Sequence, residues 1–239
     1  KTRLRNLFRN NGYFYFNPDY TVFSADTFAI PGKVQMRIQP AKNIPDNAKR
    51  KWYYGKKIVY INATPGDTTL KHVTRGDFEF YYPGRIPLHS SLWKQNVFSM
   101  RGKPYSYLEQ SFTTSKLSSL QVFSSIDMNY FPRDTTGASD TLDVYLFAKL
   151  DKPYESEFNM NVTAKSNDQV GPGASFEIAK RNAFRAGEKL SFRIYGSYEW
   201  ETQTRRHERN DLLNSYELGS SIGVEFPTLF MPWIDNSKI

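Results

Sequence analysis

The stretch Leu190-Ser-Phe-Arg-Ile-Tyr-Gly-Ser-Tyr-Glu-Trp200 decides how the C-terminal half of the chain is interpreted. Apolar and aromatic residues recur at every second position, interrupted by Gly196, and mainly polar residues lie between them. Because successive side chains of a strand point to opposite faces, this alternation predicts a strand with one apolar and one polar face. A strand of about 9–11 residues tilted by about 45° can span a bilayer.

Three further segments after Pro153 alternate in the same way, from about Tyr154 to Lys165, from Ala174 to Ala179 and from Tyr216 to Phe226. We interpret their apolar faces as contacting lipid and their polar faces as lining a hydrated lumen. The predicted lipid-facing residues are Leu190, Phe192, Ile194, Leu218, Ile222 and Val224, and the predicted lumen-facing residues are Glu177, Arg193, Glu199, Glu217 and Glu225.

The connections between these strands also favour a membrane barrel. A short turn near 183–188 and a long, charged loop at 202–214 match the short turns and long polar loops of outer-membrane barrels. We interpret Gly171-Pro-Gly173 as the first barrel turn. Four strands cannot close a barrel, so we expect further strands after Ile239, and Lys1 is interpreted as an internal cut. A soluble sandwich with one hydrated face is the alternative that the pattern leaves open.

The N-terminal part mixes helices with strands. Residues 1–40 are predicted to form α-β-β, with strands at Tyr13–Phe23 and around Val34–Ile38. Residues 52–150 are predicted to form β-α-α-β-β, with an irregular stretch at 64–88. Because the α-β-β ending occurs twice, we expect an array of small modules whose first copy lacks its leading strand and helix.

Composition argues against several classes of function. The 239 residues include no Cys, which excludes disulfides and thiolate sites, and no apolar run is long enough for a transmembrane helix. The net charge is +8, but the basic residues are scattered, so we expect no nucleic-acid partner. The three histidines have no partner at ligand or triad spacing, and the glutamates of the polar faces are better explained as lumen residues than as acid–base pairs. We expect no enzyme activity, metal or cofactor.

Four motifs carry a resemblance to a known family. They are Arg9-Asn-Asn-Gly-Tyr-Phe14, Gly102-Lys-Pro-Tyr-Ser106, Lys180-Arg-Asn-Ala-Phe-Arg185 and the strand from Glu217 to Pro227. Their order and spacing resemble the BamA/TamA superfamily of outer-membrane assembly barrels with POTRA domains. Within it, Asn10-Asn-Gly-Tyr-Phe-Tyr-Phe16, Asp26-Thr27 and Ile44-Pro45 resemble the TamL-like branch of Bacteroidetes. The resemblance covers nearly the whole chain.

The resemblance implies an α+β POTRA module or modules (β-α-α-β-β) followed by antiparallel all-β strands, the N-terminal part of a transmembrane β-barrel. Residues 1–48 would be the C-terminal part of one POTRA module, 49–152 the membrane-proximal module and 153–239 the first four or so barrel strands. The first of these would be the seam strand, which pairs weakly with the last strand of the barrel. Its predicted seam residues are Glu157, Phe158, Asn159, Met160, Asn161, Val162 and Thr163.

The function implied by the resemblance is assembly, insertion or translocation of proteins at the bacterial outer membrane, with the POTRA modules in the periplasm. A POTRA sheet edge would recruit partners by strand addition, and the seam would guide client strands into the membrane. The implied partners are outer-membrane lipid, client outer-membrane proteins and a TamB-like periplasm-spanning protein or accessory lipoproteins. Three alternatives remain: a two-partner-secretion transporter of the same superfamily, a soluble glycan-binding β-protein, and a phospholipase or protease barrel.

Overall fold

The computed structural model describes residues 1–26, 28, 30, 32–134, 139–166, 169–201 and 215–227, with Glu201 described for its backbone alone. The described residues divide after Leu150 into two compact units. The finer division of the first 152 residues into two modules stays a prediction. The charged loop at 202–214 and the tail after Pro227 lie outside the described residues.

The first unit combines short helices with one larger and one smaller sheet. Its elements are α1 (Thr2–Asn10), a 3-10 helix (Pro18–Tyr20), β1 (Thr21–Asp26), β2 (Gln35–Pro40), α2 (Asp46–Lys49), β3 (Tyr53–Ile61), β4 (Lys71–Arg75), β5 (Phe78–Tyr82), α3 (Ser90–Asn96), α4 (Tyr107–Ser119), β6 (Phe123–Pro132) and β7 (Thr141–Leu150). β1 and β2 form an antiparallel hairpin. The larger sheet has the order β4-β5-β3-β7-β6, in which β3 runs parallel to both of its neighbours.

Two expectations about the first unit were wrong. The stretch 64–88, expected to be irregular, contains the hairpin β4–β5. Its strands of five residues are too short to show a clear alternation between the turn-prone pairs Pro65-Gly66, Gly76-Asp77 and Pro83-Gly84. The aromatic run from Tyr13 to Phe16 does not belong to a strand, and Asn17 caps the 3-10 helix that follows it. Phe14 and Tyr15 pack against the core instead, with the Phe14 ring beside Tyr105 and the Tyr15 ring beside Trp52.

The core of the first unit lies between the larger sheet and helices α3 and α4. Its fully buried large side chains include those of Trp52, Trp93 and Tyr105. The sequence Ser106-Tyr-Leu-Glu109 has the spacing of a capping box, which predicts a helix start at Ser106. Ser106 accepts a hydrogen bond from the backbone N–H of Glu109 at 3.4 Å, so this N-cap of α4 is confirmed. Thr113 and Leu117 of α4 are buried.

A buried group of tyrosines joins the N-terminal segment to this core. The guanidinium of Arg9 donates to the Tyr105 hydroxyl at 3.2 Å, and the same hydroxyl donates to Gln110 Oε1 at 2.6 Å. Burial raises the pKa of Tyr105 to about 12, although the charge of Arg9 opposes the shift. Burial also raises the pKa of Tyr54 and of Tyr130, which pack beside it.

The second unit is an antiparallel sheet of four long strands. These are β8 (Tyr154–Ala164), β9 (Gln169–Arg181), β10 (Lys189–Glu201) and β11 (Ser215–Glu225), in the order β11-β10-β9-β8. Within the described residues the sheet is open, with β8 and β11 at its edges. A short turn joins β9 to β10, as predicted, and the Ala183 N–H donates to the Glu188 carbonyl at 3.0 Å.

The interpretation of Gly171-Pro-Gly173 as a turn was wrong, because these residues lie within β9. Their pairing partners on β8 are Thr163, Val162 and Asn161. A Cβ atom on Gly171 would lie 1.8 Å from the carbonyl oxygen of Tyr198 on β10. Gly171 therefore allows the backbones of β9 and β10 to approach closely, which explains why a glycine lies inside this strand.

Candidate functional site

The candidate site is the four-stranded sheet of the second unit, with its two faces and the free edge of β8. Residues directly opposite one another in an antiparallel pair lie on the same face. Leu190 is opposite Val224, and Phe192 is opposite Ile222 on one side and Ile178 on the other. Strand register therefore brings residues that are distant in sequence onto a common surface.

One face of the sheet is apolar. It contains all six predicted lipid-facing residues, whose rows are extended onto β8 and β9 by Phe158, Met160 and Phe176. These side chains remain accessible: Leu218 is 85% exposed and Ile222 76% exposed. The structure thus brings the predicted residues together on one face, while their contact with lipid stays a prediction.

Aromatic side chains with a polar group lie near the two ends of this apolar face, whereas its middle carries Phe158, Phe176 and Phe192. Tyr198, Trp200 and Tyr216 lie toward one end, and Tyr154 lies at the other, where the Lys180 ammonium is 5.7 Å from its ring centroid. From Leu190 to Trp200 the strand rises about 33 Å, or about 25 Å along a membrane normal at a tilt of about 40°. An apolar band about 25 Å tall between aromatic girdles is characteristic of transmembrane barrels.

The opposite face is polar and charged. All five predicted lumen-facing residues lie on it. The guanidinium of Arg193 donates through Nε to Glu177 Oε2 at 2.7 Å, and Lys165 Nζ lies 2.5 Å from Glu199 Oε2. Glu217 is opposite Ser197, and Glu225 is opposite Lys189. The two faces thus differ in polarity along the whole sheet, although contact of this face with a lumen stays a prediction.

The predicted seam residues all lie in β8, at one edge of the sheet. Phe158, Met160 and Val162 point to the apolar face, and the residues between them point to the polar face. On the inner side β8 pairs with β9, whereas its outer side has no strand partner among the described residues. Its outward backbone N–H and C=O groups can therefore accept another strand.

Charged residues near the strand ends were missed by sequence reasoning. Glu155 is bonded to Arg181 and to Lys189, and Arg181 also pairs with Asp151. Their position on the polar face could have been predicted from alternation, but their pairing depends on register between strands. Tyr195 was missed as well: its ring covers Gly219 on β11, where a Cβ atom would lie 2.3 Å from the ring.

The histidines do not form a site in the part of the chain that the structure describes. His72 stacks on Tyr81, with ring centroids 4.7 Å apart, and His89 precedes α3. His207 lies outside the described residues. The described residues contain no group of three His, Cys, Asp or Glu side chains that could hold a metal ion. Among them there is also no helix with the length and hydropathy needed to cross a membrane.

Comparisons with known proteins found similarity in structure only. No protein-family model and no curated protein matches the sequence. The chain is similar to BamA from Haemophilus ducreyi lacking POTRA domains 1-3, with a TM-score of 0.46, 10% identity and coverage of 93% of this chain. It is also similar to CdiB from Acinetobacter baumannii, with a TM-score of 0.44, 12% identity and coverage of 83%. The chain spans 40% of the first and 31% of the second protein.

Proposed function

We propose that the second unit is part of an outer-membrane β-barrel and that the protein inserts or translocates other proteins at that membrane without covalent chemistry. The observation that carries this proposal is the amphipathic sheet of the second unit. Its apolar face is continuous over four strands, has aromatic residues near both ends and matches the thickness of a bilayer. In water so large an exposed apolar surface would promote aggregation.

The position of β8 at an edge of the sheet, within the described residues, supports the second half of the proposal. In a hydrocarbon environment each unpaired backbone N–H or C=O group costs several kcal/mol, so an exposed strand edge is stabilised by any strand that pairs with it. A client strand that adds to β8 would satisfy these groups while its apolar side chains enter lipid. In this way β8 acts as a template, and the energy comes from hydrogen bonding and burial in lipid rather than from a reaction.

The finer parts of the proposal rest on the sequence motifs. The first unit would act in the periplasm as POTRA domains, and a sheet edge such as β6 would recruit a partner by strand addition. The TamL-like branch, a TamB-like partner and accessory lipoproteins belong to the proposal at this level. A transporter of the two-partner-secretion type would use the same barrel, but would pass its substrate along the polar face.

Site-specific cross-linking tests the template. These 239 residues contain no cysteine, so a single introduced cysteine reports one position without background from this part of the protein. We expect Asn161→Cys on β8 to form a disulfide with a cysteine in the terminal strand of a client outer-membrane protein during its insertion. Ser191→Cys is the matched control, because it lies on the same face of β10, between two partner strands.

The pattern of cross-links separates the candidate functions. Cross-links at Asn161→Cys but not at Ser191→Cys support the template. Equal cross-linking of both positions by a secreted chain would indicate a transporter that passes its substrate along the polar face, and would contradict insertion at the seam. Failure of both positions to cross-link to any inserting client would overturn the proposal.

A further inference from the structure

Ion pairs tie both ends of β8 to β10, the strand beyond its neighbour. Near the start of β8, Lys189 Nζ of β10 lies 2.5 Å from Glu155 Oε1. Directly after β8, Lys165 Nζ lies 2.5 Å from Glu199 Oε2 of β10. Both pairs pass over β9, so they connect strands that share no backbone hydrogen bonds. We call these two pairs the start clamp and the end clamp.

The clamps are partly shielded from solvent. The side chain of Glu199 is 11% exposed, and those of Glu155 and Lys189 are about one-third exposed. Arg181 on β9 strengthens the start clamp, because its Nη2 atom lies 2.5 Å from Glu155 Oε2. Ion pairs with one well-buried partner are screened less by salt than pairs on an open surface.

One glycine lies beside the path of the end clamp. Gln169, whose carbonyl accepts from the Lys165 N–H, and Gly171, which is opposite Thr163, are the polar-face positions of β9 next to this ion pair. Gly171 has no side chain that could block the lysine. Gly173 lies further along β9, opposite Asn161 and Ser197, and a Cβ atom there would lie 2.7 Å from Asn161 Oδ1, so this glycine makes room for Asn161.

The middle of β8 lacks comparable links in the described structure. The amide of Asn159 donates to Glu157 Oε1 at 2.7 Å, and that of Asn161 donates to Thr163 Oγ1 at 3.2 Å, so both bonds stay within β8. Glu157 is directly opposite Glu177, and like charges in this position destabilise strand pairing. The guanidinium of Arg193 on β10 binds Glu177 and thus offsets part of the repulsion between Glu157 and Glu177.

We propose that Glu155 and Lys165 are positioning residues that hold the two ends of β8 in register on the sheet, while its middle is held by its pairing with β9 alone. The clamps do not depend on the function proposed above. Only their consequence rests on it, namely that a client strand would meet a template of fixed register. The clamps themselves depend on the side chains of Glu155, Lys189, Lys165 and Glu199. Loss of either clamp would increase opening of the corresponding end of β8, which stays paired with β9 through its backbone.

Hydrogen exchange of the full-length protein in lipid vesicles tests the clamps without any client. In Lys165→Gln we expect amides in the second half of β8 to exchange about threefold faster, as expected for loss of one ion pair. The charge-swapped double variant, Lys165→Glu with Glu199→Lys, should restore slow exchange. Raising the salt concentration to about 1 M should accelerate exchange in the wild type and have little further effect in Lys165→Gln.

Arg193→Gln is the matched control for the end clamp, because it removes an ion pair of the same face that joins β9 to β10 at Glu177, opposite Glu157 in the first half of β8 and away from Lys165. Exchange in the second half of β8 should stay at the wild-type rate in this variant, whereas exchange near Glu157 should rise because Glu177 loses its partner. Equal acceleration of amide exchange in the second half of β8 in Lys165→Gln and Arg193→Gln would contradict the proposed role of the end clamp. No acceleration in Lys165→Gln would contradict it as well.

A register readout connects the clamps to the template. In the Lys165→Gln background, cross-links from Asn161→Cys should spread from one client position to positions two residues away, because a loosened strand can pair in shifted registers. If exchange behaves as expected but no client cross-links form, the clamps hold and the proposed function fails. If clients cross-link in one register with both clamps removed, the function holds and the clamps fail.

Discussion

The larger sheet of the first unit and the sheet of the second unit both contain strands in which apolar residues alternate with other residues, but the surroundings of these apolar residues differ. β7 carries Leu142, Val144 and Leu146 at positions that are fully buried under α3 and α4. β10 carries Leu190, Phe192 and Ile194 at the same spacing, and Phe192 is 42% exposed. Alternation therefore sets which residues share a face, but it leaves open whether protein or another apolar medium covers that face.

The two units therefore differ in the contacts that would stabilise them. The first unit covers its apolar face with its own helices, so its stability comes from packing within the chain. The second unit covers neither face with helices in its described residues, and under the proposed function lipid would cover its apolar face. The predictions that follow test this division, beginning with the largest expected effect.

The largest effect is expected from Trp93→Ala in the core of the first unit. The indole is fully buried and contacts Phe123, with ring centroids 5.5 Å apart. Replacement by alanine leaves a large cavity, so the first unit should lose about 3–5 kcal/mol of its free energy of unfolding. Hydrogen exchange of β3 and β7 measures this loss. Met100→Ala, at an exposed side chain, is the control, and a loss below about 1 kcal/mol in Trp93→Ala would contradict a self-contained core.

A charge on the apolar face of the second unit should have the next largest effect. Ile194 lies near the middle of the apolar band, so Ile194→Arg should cost about 2–4 kcal/mol in folding into lipid vesicles. Ser197→Arg places the same charge on the polar face, opposite Glu217, and should cost much less. Urea titrations of the vesicle-bound protein measure both. Equal losses in the two variants, or complete folding of the second unit in buffer without lipid, would exclude a membrane-facing surface.

The smallest effect is a pH dependence confined to the first unit. The pKa of Tyr105 is raised to about 12 in the folded protein, whereas an unfolded tyrosine titrates near pH 10. The unfolded state therefore loses this proton first, and the stabilisation is complete below about pH 10 and declines as the pH rises toward 12. Between pH 10 and 11 we expect Tyr105→Phe to lose about 1 kcal/mol less than the wild type.

Denaturant titrations at several alkaline pH values measure this slope, with Tyr107→Phe as the control at a half-buried ring. Identical slopes in the wild type and Tyr105→Phe would mean that the tyrosine group is hydrated in solution. Over the same range of alkaline pH, amide hydrogen exchange in β9 and β10 should stay unchanged until the first unit has unfolded, because the tyrosine group belongs to the first unit alone.

The elements with a clear period were predictable from the sequence. The four strands of the second unit, the N-cap of α4 at Ser106 and the strands β6 and β7 follow from alternation and capping. The hairpin β4–β5 was not predictable in this way, because five-residue strands contain too few alternations to stand out from the turns beside them. Gly171-Pro-Gly173 misled for a related reason, since the residues that favour turns also permit close backbone contact inside a strand.

The sequence by itself determined which side chains share a face, because the direction of a side chain follows from its own strand with a period of two. Only the tertiary structure decided which residues meet across strands. The pairing of Lys165 with Glu199 and of Glu155 with Lys189 depends on register, which is set by turns and by pairing energies summed over whole strands. Contacts of that kind join positions more than thirty residues apart, and no local pattern records them.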